Sequence, residues 1–154
     1  MTATVAVAGW SPPRVRVEPP RLARGENGRV VVAIDVPDGC HVQSHEPVEP
    51  FLIATALELD DPPAGLKLAE PHYPAAEPER FDWSSIVLTV YRGTIEIVVP
   101  LEVAATACPG PTTISGRVRY QGCTETACLP PTDWPVDVQV EIIGTVGGEP
   151  RARA

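Results

Sequence analysis

Two closely spaced cysteines near the C-terminal end of the chain are the residues best suited to chemistry. Cys123 and Cys128 are separated by four residues, follow an alternating apolar run that ends at Tyr120, and precede the pair Pro130-Pro131. The pattern predicts a strand end and a hairpin turn, with the two cysteines at the Cα separation of about 4.5–5.5 Å that antiparallel pairs and disulfides share. Because proline donates no ladder hydrogen bond, the returning strand is expected at a sheet edge, where a partner's cysteine can approach.

The spacing leaves two interpretations open, a redox pair and a structural staple. A disulfide that closes so short a ring stabilises a fold by only about 2 kcal/mol, whereas a bond from Cys40 to Cys108 would contribute about 4 kcal/mol. The short ring is the poorer staple, which modestly favours exchange chemistry. Glu125 disfavours a thiolate within the loop, so activation must come from elsewhere, and His41 and His45 are the candidates.

The other two cysteines, Cys40 and Cys108, complete an even count of 4. They allow either a second disulfide or two buried free thiols, and the sequence does not favour one over the other. A zinc site usually takes its four ligands as two close pairs, and this chain has one close pair. We therefore expect no metal site.

The composition argues against several classes of function. A chain of 154 residues fits one domain, and 20 acidic against 12 basic residues give a net charge of -8, which disfavours nucleic acid as a partner. No apolar run approaches the ~18 residues of a membrane span, and the first residues do not resemble a secretory signal, so the chain as given is expected to be soluble. A hydrolase is disfavoured by the lack of a nucleophile elbow, a phosphate loop or an acid-base pair.

Alternating apolar residues dominate the segments between the 19 prolines and 12 glycines, and this pattern predicts strands. The clearest predicted strands are residues 95–101, 114–120 and 136–142. Weaker candidates are residues 15–17, 29–36, 41–43, 55–59, 66–68 and 86–91. About nine short strands predict an all-β, single-domain antiparallel sandwich with immunoglobulin-like connections. Residues 1–13 and 145–154 are expected to be flexible tails of a domain at 14–144.

The cysteine hairpin resembles the active-site hairpin of a known family. The run Tyr120-Gln-Gly-Cys-Thr-Glu-Thr-Ala-Cys-Leu-Pro-Pro131 is similar to that of the N-terminal periplasmic domain of the thiol:disulfide interchange protein DsbD and its stand-alone relatives. The segment Asp38-Gly-Cys-His-Val-Gln-Ser44 resembles the family's Gly-Trp-His-Val-Asn-Ser segment, and Val90-Tyr-Arg-Gly93 resembles its Val-Tyr-x-Gly step. The resemblance covers roughly residues 15–143.

This resemblance implies an immunoglobulin-like fold, an extracytoplasmic location in the periplasm or cell envelope, and no small-molecule cofactor. It implies a carrier that passes reducing equivalents between a membrane-embedded thiol reductant and thioredoxin-fold proteins, and we expect a monomer. By the same resemblance, Cys128 forms mixed disulfides with partners and Cys123 resolves them.

The surroundings of the pair also follow from the resemblance. The family's cap loop corresponds to residues 80–86, so Phe81 or Trp83 is expected to be a nonpolar lid that limits adventitious exchange. The alternative for Trp83 is packing under the sheet. The remaining residues expected around the active site are His41, Gln43, Tyr120 and Gln121.

Two features depart from the family pattern. Cys40 stands where relatives often have an aromatic residue, and Cys108 has no family role. If Cys40 lay beside the active pair, a three-cysteine exchange would become possible. The main alternative function is a non-enzymatic immunoglobulin-like protein-binding module with structural disulfides, which would show no exchange.

Overall fold

The computed structural model describes residues 10–144, and every regular element in that range is a strand. The strands are β1 Arg14–Glu18, β2 Arg21–Ala23, β3 Asn27–Asp35, β4 Val42–Gln43, β5 Ala56–Leu59, β6 Leu66–Leu68, β7 Glu77–Glu79, β8 Leu88–Tyr91, β9 Thr94–Val103, β10 Gly110–Tyr120 and β11 Thr132–Ile143. Within the described range, no helix has the length and hydropathy needed to cross a membrane.

The strands form three sheets with the orders β1-β3-β9-β6, β2-β11-β10-β5 and β4-β8-β7. The two four-stranded sheets contribute buried side chains to one shared core, as expected of a sandwich. Pairing is antiparallel except between β2 and β11, which run parallel. The predicted all-β, immunoglobulin-like sandwich is confirmed.

Alternation along β9 shows how the sequence specifies the core. Ile95, Ile97 and Val99 are at most 5% exposed, whereas the intervening Glu96 is exposed to solvent. Because successive side chains of a strand point to opposite faces, this order directs the apolar face into the sandwich. The same holds for the predicted faces of β10 and β11, where Val118 and Val140 are completely buried.

Two strands were not predicted, and most predicted bounds differ from those observed: β4, β5 and β8 are shorter than predicted, whereas β1, β9, β10 and β11 are longer. β2 and β7 have three residues each, too few for alternation to be visible in the sequence. β7 also contains Pro78 between two glutamates, a composition that disfavours a strand. It forms because it lies at the edge of its sheet and pairs only with β8.

The ends of β10 and β11 meet at the cysteine hairpin. β10 and β11 pair continuously up to Tyr120 and Thr132, and the chain between them forms the hairpin. Tyr120 stacks on Trp10 with the ring centroids 5.9 Å apart. A Cβ atom at Gly122 would lie 2.5 Å from the Trp10 ring, so any larger residue there would have to displace this ring. Trp10 belongs to the predicted N-terminal tail, whose residues 1–9 lie outside the described residues, as do residues 145–154.

Candidate redox site

Cys123 and Cys128 are joined by a disulfide across the turn that follows β10. Their Cα atoms are 4.0 Å apart, slightly closer than the spacing expected from the sequence. The residue pairs that flank the two cysteines form backbone hydrogen bonds across the hairpin. The N···O distance is 2.7 Å in the pair toward the turn and 2.8 Å in the pair toward the strand. The cysteines therefore occupy the non-hydrogen-bonded position, where opposed side chains come closest.

The two cysteines differ sharply in exposure. Cys123 is 3% exposed, whereas Cys128 lies on the surface, together with the four loop residues between them. Thiol-disulfide exchange requires the attacking atom to reach the sulfur along the S–S axis, so access decides which sulfur reacts. A protein partner can approach Cys128 in this conformation.

His41 extends the row formed by the two cysteines. His41 and Cys123 exchange both backbone N–H···O bonds, each at 2.9 Å. Residues paired in this way have Cα atoms about 5.5 Å apart and side chains on the same face. The imidazole therefore neighbours the buried cysteine, with Cys128 on the far side of Cys123.

The His41 ring is buried and electrically neutral at pH 7. It is 1% exposed, and neither ring nitrogen has a hydrogen-bond partner among residues 10–144. Burial, and secondarily the nearby Arg92 guanidinium, lower the pKa of His41 below its ordinary value of 6.5. A neutral imidazole can accept a thiol proton and a protonated one can stabilise a thiolate, and the buried His41 ring fits the first of these roles.

This environment predicts a pH dependence of stability. Because the folded state depresses the His41 pKa, the unfolded chain binds more protons below pH 6.5, and the free energy of unfolding falls as the pH drops from there. The loss is at most about 1.4 kcal/mol per pH unit. Urea titrations of wild type and His41→Phe between pH 7 and about pH 5 measure this loss of unfolding free energy.

The exposed His72 offers the matched control for this effect. We expect His41→Phe to flatten the pH dependence and His72→Gln to leave it as in wild type. An unchanged slope in His41→Phe would contradict a buried, neutral imidazole.

The loop between β7 and β8, residues 80–87, contains the predicted cap segment 80–86 and is called the cap loop. The buried Phe81 ring lies against His41 with a centroid separation of 4.7 Å, and Trp83 stacks on Phe81 at 5.2 Å. The Trp83 Nε1–H donates to the backbone oxygen of Glu125, at 2.7 Å, within the ring that the disulfide closes. Trp83 is 54% exposed, so it lies over the hairpin rather than under the sheet.

Arg92 connects the segments around the hairpin. Its guanidinium forms two hydrogen bonds with Glu79, at 2.7 and 2.8 Å, and donates to the backbone oxygen of Cys40 at 2.9 Å. A guanidinium nitrogen also lies 3.8 Å from a carboxylate oxygen of Glu125. The hydrogen bond with Arg92 lowers the pKa of Glu79, so the pair stays charged at neutral pH. Arg92 thereby ties the β7 edge, the segment before His41 and the hairpin together.

Sequence reasoning did not identify Arg92 as part of the site. The only available signal was its place in the Val90-Tyr-Arg-Gly93 motif, where a half-buried arginine follows a strand and precedes a turn. Its partners come from segments distant in sequence, so the residue types alone could not reveal the contacts.

Of the three other expected residues, Gln121 and Tyr120 support the hairpin rather than its sulfur chemistry. Gln121 donates from Nε2 to the backbone oxygen of Leu129 at 3.0 Å and so braces the two arms. Tyr120 is buried beneath the hairpin, and burial raises its pKa to about 12. Gln43 is buried in β4 beside β8, and its Oε1 has no hydrogen-bond partner in the described part of the chain.

The remaining chemically interesting residues lie apart from this scheme. His45 stacks on Tyr73 at 3.7 Å, and its Nδ1 lies 3.0 Å from the Thr55 backbone oxygen, contacts that belong to packing. Cys40 and Cys108 are free thiols, the first half-buried and the second exposed. The structure thus has the free-thiol alternative, although Cys108 is not buried as that alternative supposed. Over residues 10–144, no three potential ligands cluster as a metal site.

Comparisons with known proteins place the chain in a family. Residues 13–140 match the family model described as thiol:disulfide interchange protein DsbD, N-terminal. A comparison with curated proteins gave no match. The N-terminal domain of DsbD from Neisseria meningitidis, solved in the reduced form, is 26% identical with a TM-score of 0.47, and the alignment covers 73% of this chain and 77% of that one.

The N-terminal periplasmic domain of ScsB from Proteus mirabilis is 13% identical with a TM-score of 0.53. That alignment covers 84% of this chain and 49% of the ScsB chain, and it shows a shared fold. Since the family model spans most of the sequence, including both cysteines of the disulfide, the chain belongs to the DsbD N-terminal domain family of thiol:disulfide interchange proteins.

Proposed function

We propose that this protein is a dithiol-disulfide carrier that passes reducing equivalents from a membrane-embedded thiol reductant to extracytoplasmic thioredoxin-fold proteins through Cys123 and Cys128. The observation that carries the proposal is the unequal exposure of the bonded pair, buried at Cys123 and open at Cys128. A structural staple has no need of such asymmetry. The periplasmic origin of the similar ScsB domain supports the location.

The first step of the exchange takes place at Cys128. In the reduced protein, the Cys128 thiolate attacks one sulfur of a partner disulfide, and the partner's other sulfur leaves as a thiolate. One S–S bond forms and one breaks, so the product is a mixed disulfide between Cys128 and the partner. The surface position of Cys128 makes this approach possible.

The second step takes place at Cys123. Its thiolate attacks the Cys128 sulfur, the bond to the partner breaks, and the partner leaves with both sulfurs reduced. The carrier is oxidised by two electrons and now holds the Cys123–Cys128 disulfide. The neutral His41 beside Cys123 is the group placed to accept the Cys123 proton before this attack.

The cap loop regulates access in this scheme. Phe81 covers the His41 side of the row, and Trp83 bonds to the hairpin backbone, so the loop spans the buried half of the site. A partner can therefore reach Cys128 without displacing the loop. The loop has to move only if the second step requires Cys123 and His41 to move. Shielding of this kind limits exchange with small thiols.

A reduction potential tests the proposal directly. A carrier must be both oxidised and reduced under physiological conditions, so we expect a potential above about -300 mV. Equilibration with dithiothreitol buffers, followed by alkylation and mass measurement, gives the value. Cys40 and Cys108 are alkylated in both states, and the redox pair adds two further labels on reduction. A pair that stays oxidised well below that potential would be a structural bond.

A further inference from the structure

Exposed apolar side chains are concentrated in two loops beside the redox hairpin. Within the described residues, the exposed large hydrophobic side chains are Val48, Phe51, Trp83, Ile86 and Val87. Every one belongs either to loop 44–55, between β4 and β5, or to the cap loop. Single exposed apolar residues are normal on a monomer, but a cluster indicates an interaction site.

The two loops and the hairpin form one continuous surface. Leu52 of loop 44–55 packs against the small core cluster that contains Phe81 and Leu88. Trp83, stacked on Phe81, bonds to the hairpin at Glu125. The surface that begins at the hairpin therefore extends through the cap loop to loop 44–55.

We propose that loop 44–55, with Phe51 as its anchor, docks the thioredoxin-fold partner during exchange. This inference rests on the proposed carrier function and adds the surface that selects the partner. Phe51 is 75% exposed, the largest value among these side chains, and nothing in its own fold requires a phenylalanine there. An aromatic ring that enters a partner's pocket is the usual anchor of a protein interface.

The size of an interface supports this extension. A transient redox complex buries less than a standard interface, but up to about 600 Å² on each partner is still more than the tip of a six-residue hairpin provides. A partner bonded to Cys128 must therefore also contact neighbouring loops. The cap loop and loop 44–55 are the neighbours that offer apolar side chains.

The charges around this surface define the kind of partner. Loop 44–55, the cap loop and the hairpin carry four carboxylates and one arginine: Glu46, Glu49, Asp82, Glu125 and Arg80. An acidic rim around an apolar centre fits a partner with an apolar surface at its reactive cysteine and lysine or arginine residues around it. Together with the proposed carrier function, these charges define the occupant as a thioredoxin-fold domain with a basic rim.

Phe51→Ser tests the docking surface by exchange kinetics. All proteins compared carry Cys108→Ser, because this exposed thiol would also react with the probes. The probes are an oxidised, monomeric thioredoxin-fold domain with a lysine-rich rim around its Cys-x-x-Cys pair, and oxidised glutathione as a small disulfide. We expect the ratio of the two second-order rate constants, protein over glutathione, to fall about tenfold in Phe51→Ser. Because Phe51 is exposed, the variant should keep its melting temperature.

A matched pair of charge reversals tests the acidic rim. Glu46 lies on the proposed surface. Glu102 is exposed near the other end of β9, about 26 Å along the strand from its first residue, Thr94, which follows the Val90-Tyr-Arg-Gly93 motif. Glu46→Lys should slow exchange with the basic probe severalfold at low salt, and Glu102→Lys, with the same change in net charge, should not.

The outcomes separate the two proposals. If wild type exchanges with the protein probe but Phe51→Ser keeps the wild-type ratio, the docking surface is wrong and the carrier function stands. If wild type exchanges with neither disulfide, the carrier function fails and the docking proposal fails with it.

Discussion

Cys123→Ser is expected to accumulate as a stable mixed disulfide with an oxidised thioredoxin-fold protein, and Cys128→Ser is not. In Cys123→Ser the exposed thiol still attacks the partner, but no second thiol resolves the bond. In Cys128→Ser the remaining thiol is buried, so its reaction with a protein disulfide should be slower by on the order of a hundredfold or more. Non-reducing gel electrophoresis and mass spectrometry of the trapped species measure the difference.

The two variants control for each other. Each breaks the same disulfide and loses the same loop constraint of about 2 kcal/mol, but Cys123→Ser also buries a hydroxyl in place of a thiol, so trapping is compared under conditions in which melting curves show both variants folded. The exposed free thiol of Cys108 would form mixed disulfides of its own, so both variants belong in a Cys108→Ser background. Equal trapping by both variants would overturn the assigned roles, and trapping by neither would favour a binding module stapled by its disulfide.

The sandwich was predictable because the sequence of each long strand indicates which of its two faces is buried. In β9, β10 and β11 the alternation of apolar and polar residues predicts both a strand and its buried face, and the structure has the predicted residues on the buried side. The hairpin was predictable for a similar reason, since two cysteines and a double proline within a short segment restrict the local geometry.

The arrangement around the hairpin could not be predicted in the same way. His41 reaches Cys123 through an isolated bridge between segments some 80 residues apart, and nothing local specifies that pairing. Arg92 gains its role from Glu79, Cys40 and Glu125, which the fold alone brings together. The family resemblance pointed to His41 and to the cap, but it did not reveal the salt bridge between Arg92 and Glu79.

The exposed residues of loop 44–55 show a different limit. Val48 and Phe51 follow no periodic pattern, so periodicity does not single them out. Their significance depends on Leu52, whose contact with the Phe81 cluster brings the loop beside the cap. An interaction surface of this kind can be recognised only when the positions of the loops in the folded protein are known.

Phe81→Ala is expected to open the buried half of the site. Phe81 covers His41, the neighbour of Cys123, and its ring also supports Trp83 above the hairpin. In a Cys128→Ser background, removal of the ring should raise the rate at which iodoacetamide alkylates Cys123 by about tenfold or more, since about 1.4 kcal/mol less opening free energy gives a factor of ten. In a Cys123→Ser background, alkylation of the exposed Cys128 should change little.

A milder variant and a remote control isolate the cap from general destabilisation. Trp83→Phe keeps the stacked ring and removes only the hydrogen bond to Glu125, so Cys123 alkylation should rise about fivefold, in line with roughly 1 kcal/mol for one hydrogen bond. Leu22→Ala, in β2, deletes a buried side chain outside the Phe81 cluster at a comparable cost of several kcal/mol. If Leu22→Ala accelerates the alkylation of Cys123 as strongly as Phe81→Ala does, at equal stability, the cap does not restrict access to this thiol. If only the cap variants do so, Phe81 and Trp83 restrict access to the resolving cysteine, and attack is directed to Cys128.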